Sequence, residues 1–288
     1  MPELPEVEVV RRSLQSFIKG LKIKKVTIFN KNLRYKIDKN LPKFIKNRRI
    51  IFIKRRSKFL LLGLENGNTI LIHLGMTGKI FILNNNSNKI FNPNFYYQNE
   101  IKKKHNHIEI EFNKSKKMIY NDIRKFGFIK LVTTSLISKN KHLINLGPEP
   151  LNKEFNINYF NLKTRNKKKN VKNLLLDQKI ISGIGNIYSN EILHLSSINP
   201  RKVSRSLKAI EKQNIVKNTK AVLFKAIKFG GSSIRDFQGI SGKTGSFQHE
   251  FMAYNRGGQL CRKPKCNGKI KKIYISNRST FYCSKCQR

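Results

Sequence analysis

A chain of 288 residues with 39% hydrophobic and 10% aromatic content is long enough for two domains and a small appendage, and too apolar for disorder. Its charge is lopsided: 60 Lys and Arg against 16 Asp and Glu give +44, with a pI near 10.4. Such a field attracts polyanions, either nucleic acid or an anionic membrane surface. No apolar run approaches the roughly 18 residues that span a bilayer, and the N-terminus carries acids where a secretory signal has a basic stretch. Nucleic acid is therefore the expected partner. Lys, Asn and Ile are all abundant, as AT-rich coding would make them, so part of the charge is solvated surface.

The first six residues, Met1-Pro2-Glu3-Leu4-Pro5-Glu6, crowd two prolines and two carboxylates ahead of an apolar stripe at Val7, Val10, Leu14 and Phe17. The three, four, three spacing predicts a core-facing helix. Pro5 suits its first turn, and Glu3 and Glu6 suit the positive end of its dipole. A second reading is chemical. Removal of Met1 leaves Pro2 as a free secondary amine beside an acid, and an amine is a nucleophile towards carbonyl-like carbon. The stretch by itself leaves both readings open.

Residues 22 to 83 read as strands. Lys22 to Phe29, Arg49 to Lys54, Phe59 to Leu64 and Thr69 to Leu74 come first, with turn residues Glu65-Asn66-Gly67-Asn68 making a hairpin of the last two. Asn84 to Asn88 reads as a polar loop with a mobile tip. Strands resume at His107 to Phe112, Lys117 to Tyr120 and Phe126 to Val132. The period of two predicts an antiparallel sandwich or barrel carrying one helix. Thr133-Thr134-Ser135 reads as a linker. Helical patterns follow at Lys169 to Leu176, Asn186 to Ser196 and Leu207 to Phe229, with the glycine turn Ile181-Ser182-Gly183-Ile184-Gly185-Asn186 feeding a helix N-terminus able to hold a phosphate. Gly230 to Gly245, with five glycines and three serines, is a linker or a functional loop.

All four cysteines lie in the last 28 residues, as Cys261-x4-Cys266-x16-Cys283-x2-Cys286. Two close pairs at this separation suit a closed tetrahedral zinc site that folds the tail without taking part in chemistry. Between the pairs, Ile270 to Ser276 and Ser279 to Tyr282 predict a two-stranded ribbon with Arg278 near its turn. The runs Lys102-Lys103-Lys104 and Lys167-Lys168-Lys169 read as solvated faces, and His105 and His107 carry no assigned role.

Several stretches together resemble one family, the bacterial formamidopyrimidine-DNA glycosylases of the MutM type. They are Pro2-Glu3-Leu4-Pro5-Glu6-Val7-Glu8, Arg55-Arg56-Ser57-Lys58-Phe59-Leu60 and His73-Leu74-Gly75-Met76-Thr77-Gly78. Asp122-x-Arg124-x-Phe126-Gly127, Leu146-Gly147-Pro148-Glu149-Pro150, Gly183-Ile184-Gly185-Asn186-Ile187-Tyr188 and the cysteine tail with Asn277-Arg278-Ser279-Thr280-Phe281-Tyr282-Cys283 continue the series in order. The resemblance implies an α+β fold: an N-terminal antiparallel β-sandwich with an N-terminal helix over 1–133, a helical helix–two-turns–helix domain with a lesion-capping loop over 134–249, and a C-terminal zinc-finger ribbon over 250–288. It implies a bifunctional glycosylase and abasic-site lyase for oxidised purines, a monomer in the bacterial cytoplasm, acting on double-stranded DNA that contains oxidised bases or abasic sites, with one structural zinc on Cys261, Cys266, Cys283 and Cys286.

Residue roles carry over in the same way. Pro2 attacks the anomeric carbon to form a Schiff base, Glu3 moves protons beside it, and Glu6 supports them. Lys58 is the cation that lowers the amine's affinity for a proton, from an ordinary pKa of about 7.7–8.0. Lys58, His73, Asn186 and Arg278 clasp phosphates, and Met76, Arg124 and Phe126 fill the void left by the flipped base. The chain departs from the family in its first cysteine pair, where four residues intervene instead of two, and in Gly242 to Phe247. Two alternatives make different predictions: an endonuclease VIII-like enzyme for oxidised pyrimidines, against which Leu4 stands, and a non-catalytic zinc-ribbon DNA-binding protein, against which Pro2, Glu3 and Lys58 stand.

Overall fold

Helix α1 (Leu4–Ile18) starts where the proline-rich stretch places a helix start. Glu3 is the N-cap, its backbone N–H donates to Glu6 Oε2 at 2.8 Å, and Pro5 sits in the first turn, where its missing N–H costs nothing. The buried face runs through Leu4, Val7, Val10, Leu14 and Ile18. It closes on Ile18, whereas Phe17, expected on the stripe, is half-buried at its edge.

The computed structural model describes residues 2–84, 89–91 (backbone only), 102–232 and 245–288. Of the polar loop expected at Asn84 to Asn88 only Asn84 is described, as the last residue of a strand, and most of the glycine-rich stretch falls outside the described residues. Two compact units result, Met1–Ile144 with Phe229–Ser246, and Asn145–Lys228 with Phe247–Arg288.

In the first unit the strands are β1 (Ile23–Ile28), β2 (Ile50–Arg56), β3 (Phe59–Leu64), β4 (Asn68–His73), β5 (Gly78–Asn84), β6 (Lys89–Phe91), β7 (Asn106–Phe112), β8 (Lys116–Asp122) and β9 (Phe128–Thr133), with the short helix α2 (Leu41–Ile45) between β1 and β2. They pair antiparallel in two sheets, ordered β1-β7-β8-β5-β6 and β2-β3-β4-β9. Alternate residues of both sheets, such as Leu60, Leu62, Ile70 and Ile72 from one and Ile80, Ile82, Ile108 and Ile110 from the other, share one core with α1. That is the expected sandwich, and period-two patterning is its cause. Strand β5 falls inside the stretch 22–83 read as strands but had no bounds of its own: Ile80, Phe81 and Ile82 are all buried, so no alternation marks it. Phe126, expected in a strand, lies in the loop before β9. The expected linker at Thr133-Thr134-Ser135 belongs to the sandwich, because the Thr134 hydroxyl meets that of Thr69 at 2.9 Å and a 3-10 helix spans Thr134–Lys139.

The second unit holds α3 (Ile157–Thr164), α4 (Val171–Leu176), α5 (Asn186–Leu195), α6 (Ala209–Lys228) and the ribbon β10 (Ile270–Ile275) with β11 (Arg278–Cys283). Helix α3 was not expected, and Asn156 Oδ1 caps it by accepting from Tyr159 N at 2.9 Å. The cysteine tail joins the helices through polar bonds. Glu191 on α5 accepts the backbone N–H groups of Met252, Ala253 and Tyr254 at 2.8, 3.0 and 2.7 Å, and Asn190 Oδ1 accepts that of Phe281 at 2.7 Å. Among the described residues no helix is long and apolar enough to cross a membrane.

Glu8 ties α1 to the sheet, its carboxylate lying 3.0 Å from Arg11 and 3.0 Å from Arg55 on β2. Burial pushes the Glu8 carboxyl up, but hydrogen bonds and charge from Arg11 and Arg55 outweigh it and hold the group below the ordinary 4.5. A carboxyl lowered by folding stabilises above its unfolded value and loses that contribution as pH falls through the folded one. The expected outcome is that Glu8→Gln melts lower than the unmodified chain at pH 7, and that the gap in Tm, followed by circular dichroism, closes as pH drops below 4.5.

Candidate functional site

Pro2 and Glu3 are both buried at the start of α1, Glu3 with only 2% of its surface exposed. Glu6 is the junction beside them. While its Oε2 holds Glu3 N, its Oε1 accepts from Ser232 N at 2.8 Å and from Ser232 Oγ at 3.0 Å. The backbone arrives there through Gly231 at φ +85°, and a Cβ on Gly231 would sit 3.1 Å from Glu6 Oε1. Glycine is the residue that permits both the angle and the approach.

The β2–β3 hairpin brings Lys58 towards the same end of the helix. Arg56 pairs with Phe59, so Ser57 and Lys58 form the turn, with Ser57 at φ +55°. Arg55 locks it, donating to Glu8 on one side and to Ser57 O at 2.9 Å on the other. Lys58 itself is buried. Opposite Phe59 in the next register is His73, with ring centroids 4.9 Å apart. Burial, then the charges of Lys58, Arg34 and His142, push the His73 imidazole down to about 4. Gly75 N donates to its Nδ1 at 3.1 Å. His73 is therefore neutral at physiological pH with its proton on Nε2, a hydrogen-bond donor without charge.

Met76, Arg124 and Phe126 come from two loops that touch backbone to backbone. A Cβ on Gly75 would lie 2.4 Å from Gly127 N and 2.5 Å from Phe126 C, so only glycine, here at φ +60°, lets the β4–β5 loop reach the β8–β9 loop. Met76 is 39% and Phe126 44% exposed, and the Arg124 guanidinium lies 4.7 Å from the Phe126 ring centroid. Asp122, fully buried, holds the pair of loops: Thr77 Oγ1 donates to its Oδ1 at 2.5 Å and Gly127 N to its Oδ2 at 2.8 Å. Arg124 N in turn donates to Thr77 Oγ1 at 3.0 Å. His107, without an assigned role, is buried with its ring nitrogens 3.1 Å from Asn30 O and 3.0 Å from Asp122 O.

In the second unit Asn186 and Arg278 are neighbours by way of Ser279. Asn186, at the N-terminus of α5, donates through Nδ2 to Ser279 O at 2.9 Å, and the buried Lys172 donates to the same oxygen at 3.1 Å and to Thr280 Oγ1 at 2.6 Å. Arg278 opens β11 after Ser276 and Asn277, both at positive φ, as a tight two-residue hairpin requires, and its side chain is exposed. Asn186 Oδ1 is buried without a partner among the described residues. Gln178 shapes the preceding glycine turn, accepting from Gly183 N at 2.7 Å and donating to Ile184 O at 2.7 Å.

The four cysteine sulfurs all lie within 4.8 Å of one another, with Cys261 and Cys286 at 3.8 Å and Cys266 and Cys283 at 3.7 Å. These separations far exceed the ~2.05 Å of a disulfide and suit ligands around one metal ion. The buried His194 places Nε2 3.3 Å from Cys261 Sγ.

Comparison with known proteins follows the same division. The formamidopyrimidine-DNA glycosylase N-terminal domain matches residues 1–129, and the H2TH domain of the same glycosylases matches 146–238. A formamidopyrimidine-DNA glycosylase of Rickettsia bellii is 41% identical over the full length of both chains, and one of Ruegeria pomeroyi 36%. The chain belongs to the formamidopyrimidine-DNA glycosylase family. Lactococcus lactis Fpg in complex with DNA containing an abasic site superposes with a TM-score of 0.86 at 32% identity, covering 99% of each chain. The same enzyme with DNA containing an N7-benzyl-Fapy-dG gives 0.86 at 33%, covering all of both.

For a member of this glycosylase family, the residues that sequence reasoning passed over are the frame. Asp122 and Thr77 stand inside two of the quoted motifs, and Gln178 and Lys172 just before a third, but their bonds are to residues far along the chain or to backbone. Replacing Asp122 by Ala strands the buried Gly127 N–H and the Thr77 hydroxyl, a loss of about 1–3 kcal/mol. The expected result is a lower unfolding midpoint in urea for Asp122→Ala, with Thr77→Ala recovering part of the same loss and the double variant costing less than the sum of the two.

Proposed function

We propose that this chain is a bifunctional DNA glycosylase and abasic-site lyase of base excision repair that removes oxidised purines, 8-oxoguanine and formamidopyrimidines, from double-stranded DNA. One observation carries the reading: the capped start of α1 buries Pro2 and Glu3 as a fixed pair, with the Lys58 turn locked to the same helix by the Arg55–Glu8 bridge. With Met1 removed, the Pro2 amine attacks the anomeric carbon as the base departs with a proton. Glu3 assists sugar-ring opening, and the resulting iminium acidifies the neighbouring sugar protons, so β- and then δ-elimination break the strand from one covalent species. Lys58 favours the neutral amine by its charge, and Glu6 keeps Glu3 in register.

Lys58, His73, Asn186 and Arg278 clasp phosphates in this reading, three as charged or amide donors and His73 as a neutral one. Exposed Met76, Arg124 and Phe126 suit insertion where the base is extruded. The working division is 1–133 for catalysis, 134–249 for helix–two-turns–helix binding with the capping loop, and 250–288 for the zinc ribbon, in a monomer acting in the bacterial cytoplasm. A tetrahedron of sulfurs around zinc at ~2.3 Å has edges of about 3.8 Å, which the sulfur separations of 3.7 and 3.8 Å match. Cys261, Cys266, Cys283 and Cys286 would hold the ion, whose work is to fold the tail and keep Arg278 beside Asn186.

Borohydride reduction should trap the mature chain covalently on 8-oxoguanine duplex through Pro2. A variant carrying one extra residue ahead of Pro2 should bind that duplex without forming the adduct. An adduct with the blocked variant, or none with the mature chain, would remove the Pro2 mechanism, and faster release of thymine glycol than of 8-oxoguanine would favour the pyrimidine-directed alternative. Removal of zinc by a chelator should release about one ion per chain and abolish duplex binding while the β-sheet circular dichroism of the sandwich persists.

A further inference from the structure

Beyond His73, the first unit carries an array of rings and cations that none of the assigned roles uses. Tyr35 lies at its centre. Lys130 Nζ stands 3.9 Å from the Tyr35 ring centroid, and Arg34 Cζ and Lys141 Nζ each stand 5.9 Å from it. His142 packs at 5.4 Å from Tyr35 and 4.7 Å from Phe128, with its Nε2 3.5 Å from Lys130 Nζ. Phe128 in turn stacks on His73 at 5.5 Å and 22°. Arg34 N donates to Gly127 O at 3.1 Å, so the array also borders the Met76 and Phe126 loops.

Three permanent cations and a histidine are gathered round one ring here, and among the described residues Arg34, Lys130 and Lys141 have no carboxylate partner. Burial and the charge of Lys141 lower the Lys130 amine; burial, then Lys130, Lys141 and Arg34, lower the His142 imidazole. Cation–π contact offsets part of this repulsion but leaves the net charge in place. Compositional enrichment in lysine accounts for the number of cations, not for their convergence on stacked aromatics from three separate segments: the loop after β1, strand β9, and the turn at 140–142.

We propose that Arg34, Lys130, Lys141 and His142, gathered round Tyr35, form a second phosphodiester-binding subsite for duplex DNA, contiguous with His73. The inference rests on the DNA-binding reading above. A phosphate entering the array replaces repulsion by attraction, and His142, neutral in the free chain, gains a proton with it. The groups facing His142 are Lys130, Lys141, Arg34, His73, Tyr35, Phe59 and Phe128, so among the described residues no acid competes for that proton. Affinity for duplex should therefore rise as pH falls towards and below 6.5, and His142→Gln should reduce that rise, leaving the part that His73 contributes.

The test is the salt dependence of binding to undamaged duplex, read by fluorescence anisotropy. Lys130→Gln with Lys141→Gln should lower the slope of log affinity against log salt by about 0.9 per contact. Between 50 and 200 mM salt the unmodified chain then weakens about tenfold more than the variant. Lys130→Arg with Lys141→Arg should keep the full slope. An unchanged slope in the double Gln variant overturns the subsite, and a fall in Tm with unchanged slope assigns the array to packing alone. Should the double variant not fold, the exposed Lys141→Gln alone, with its 0.9 change, decides. Borohydride trapping on saturating 8-oxoguanine duplex separates the two readings. A shifted slope without any adduct in the unmodified chain leaves the subsite standing and the enzyme reading fallen, and an adduct with unshifted slope does the reverse.

Discussion

Buried carboxylates that hold backbone N–H groups are the constraint on which this structure depends. The chain has 16 acids among 60 bases, and simple pairing would send every acid to a lysine. Instead Asp122 holds Gly127 N and the Thr77 hydroxyl, and Glu191 holds three consecutive N–H groups at 252–254. Glu6 similarly joins Glu3 N to Ser232. A carboxyl oxygen accepting N–H bonds away from water leaves no buried donor unpaired and makes a more directional link than a surface ion pair. The Glu6 and Asp122 links lie beside proposed working side chains, and using acids in this way leaves many cations uncompensated, which is the state a polyanion-binding surface requires.

The sandwich and helix α1 were legible because their residues alternate or repeat with a period that local geometry imposes. The Val7, Val10, Leu14 spacing specifies a buried face without knowledge of the partner, and the apolar runs of β3 and β4 are set off by the turn residues Glu65 to Asn68 between them. Strand β5 lay inside the stretch read as strands but was not singled out, although Ile80, Phe81 and Ile82 are as apolar and buried as Leu60, Leu61 and Leu62. Helix α3 was missed because its first turn is fixed by the Asn156 cap more than by an apolar stripe. The linker at 133–135 misled because polar residues at a strand end look like a boundary until Thr134 meets Thr69. Pro2, Glu3 and Lys58 were legible as motif members, whereas Asp122, Gln178 and Lys172 act through bonds whose partners no local pattern announces.

The ribbon illustrates how a small four-cysteine module gains definition from its neighbour. Two strands with four cysteines offer little apolar area to bury, and the cluster of Ala253, Cys261, Ile270, Phe281 and Cys283 is small. Lys172, Asn186 and Asn190 add hydrogen bonds from the helices to consecutive positions of β11. The result is that Arg278 is set by the register of a strand and Asn186 by the start of a helix, and one carbonyl, that of Ser279, joins the two.

The contact between the Gly75 and Gly127 loops has an evolutionary consequence. Gly75, Gly127 and Asp122 form a frame in which an added methyl group or a lost oxygen disturbs buried backbone, so selection for folding alone keeps them. Met76 and Phe126 project from that frame with much of their surface in solvent and take little part in the core. Their identity is free of the requirements of folding. A lineage can change these two exposed side chains while the scaffold that presents them stays constant.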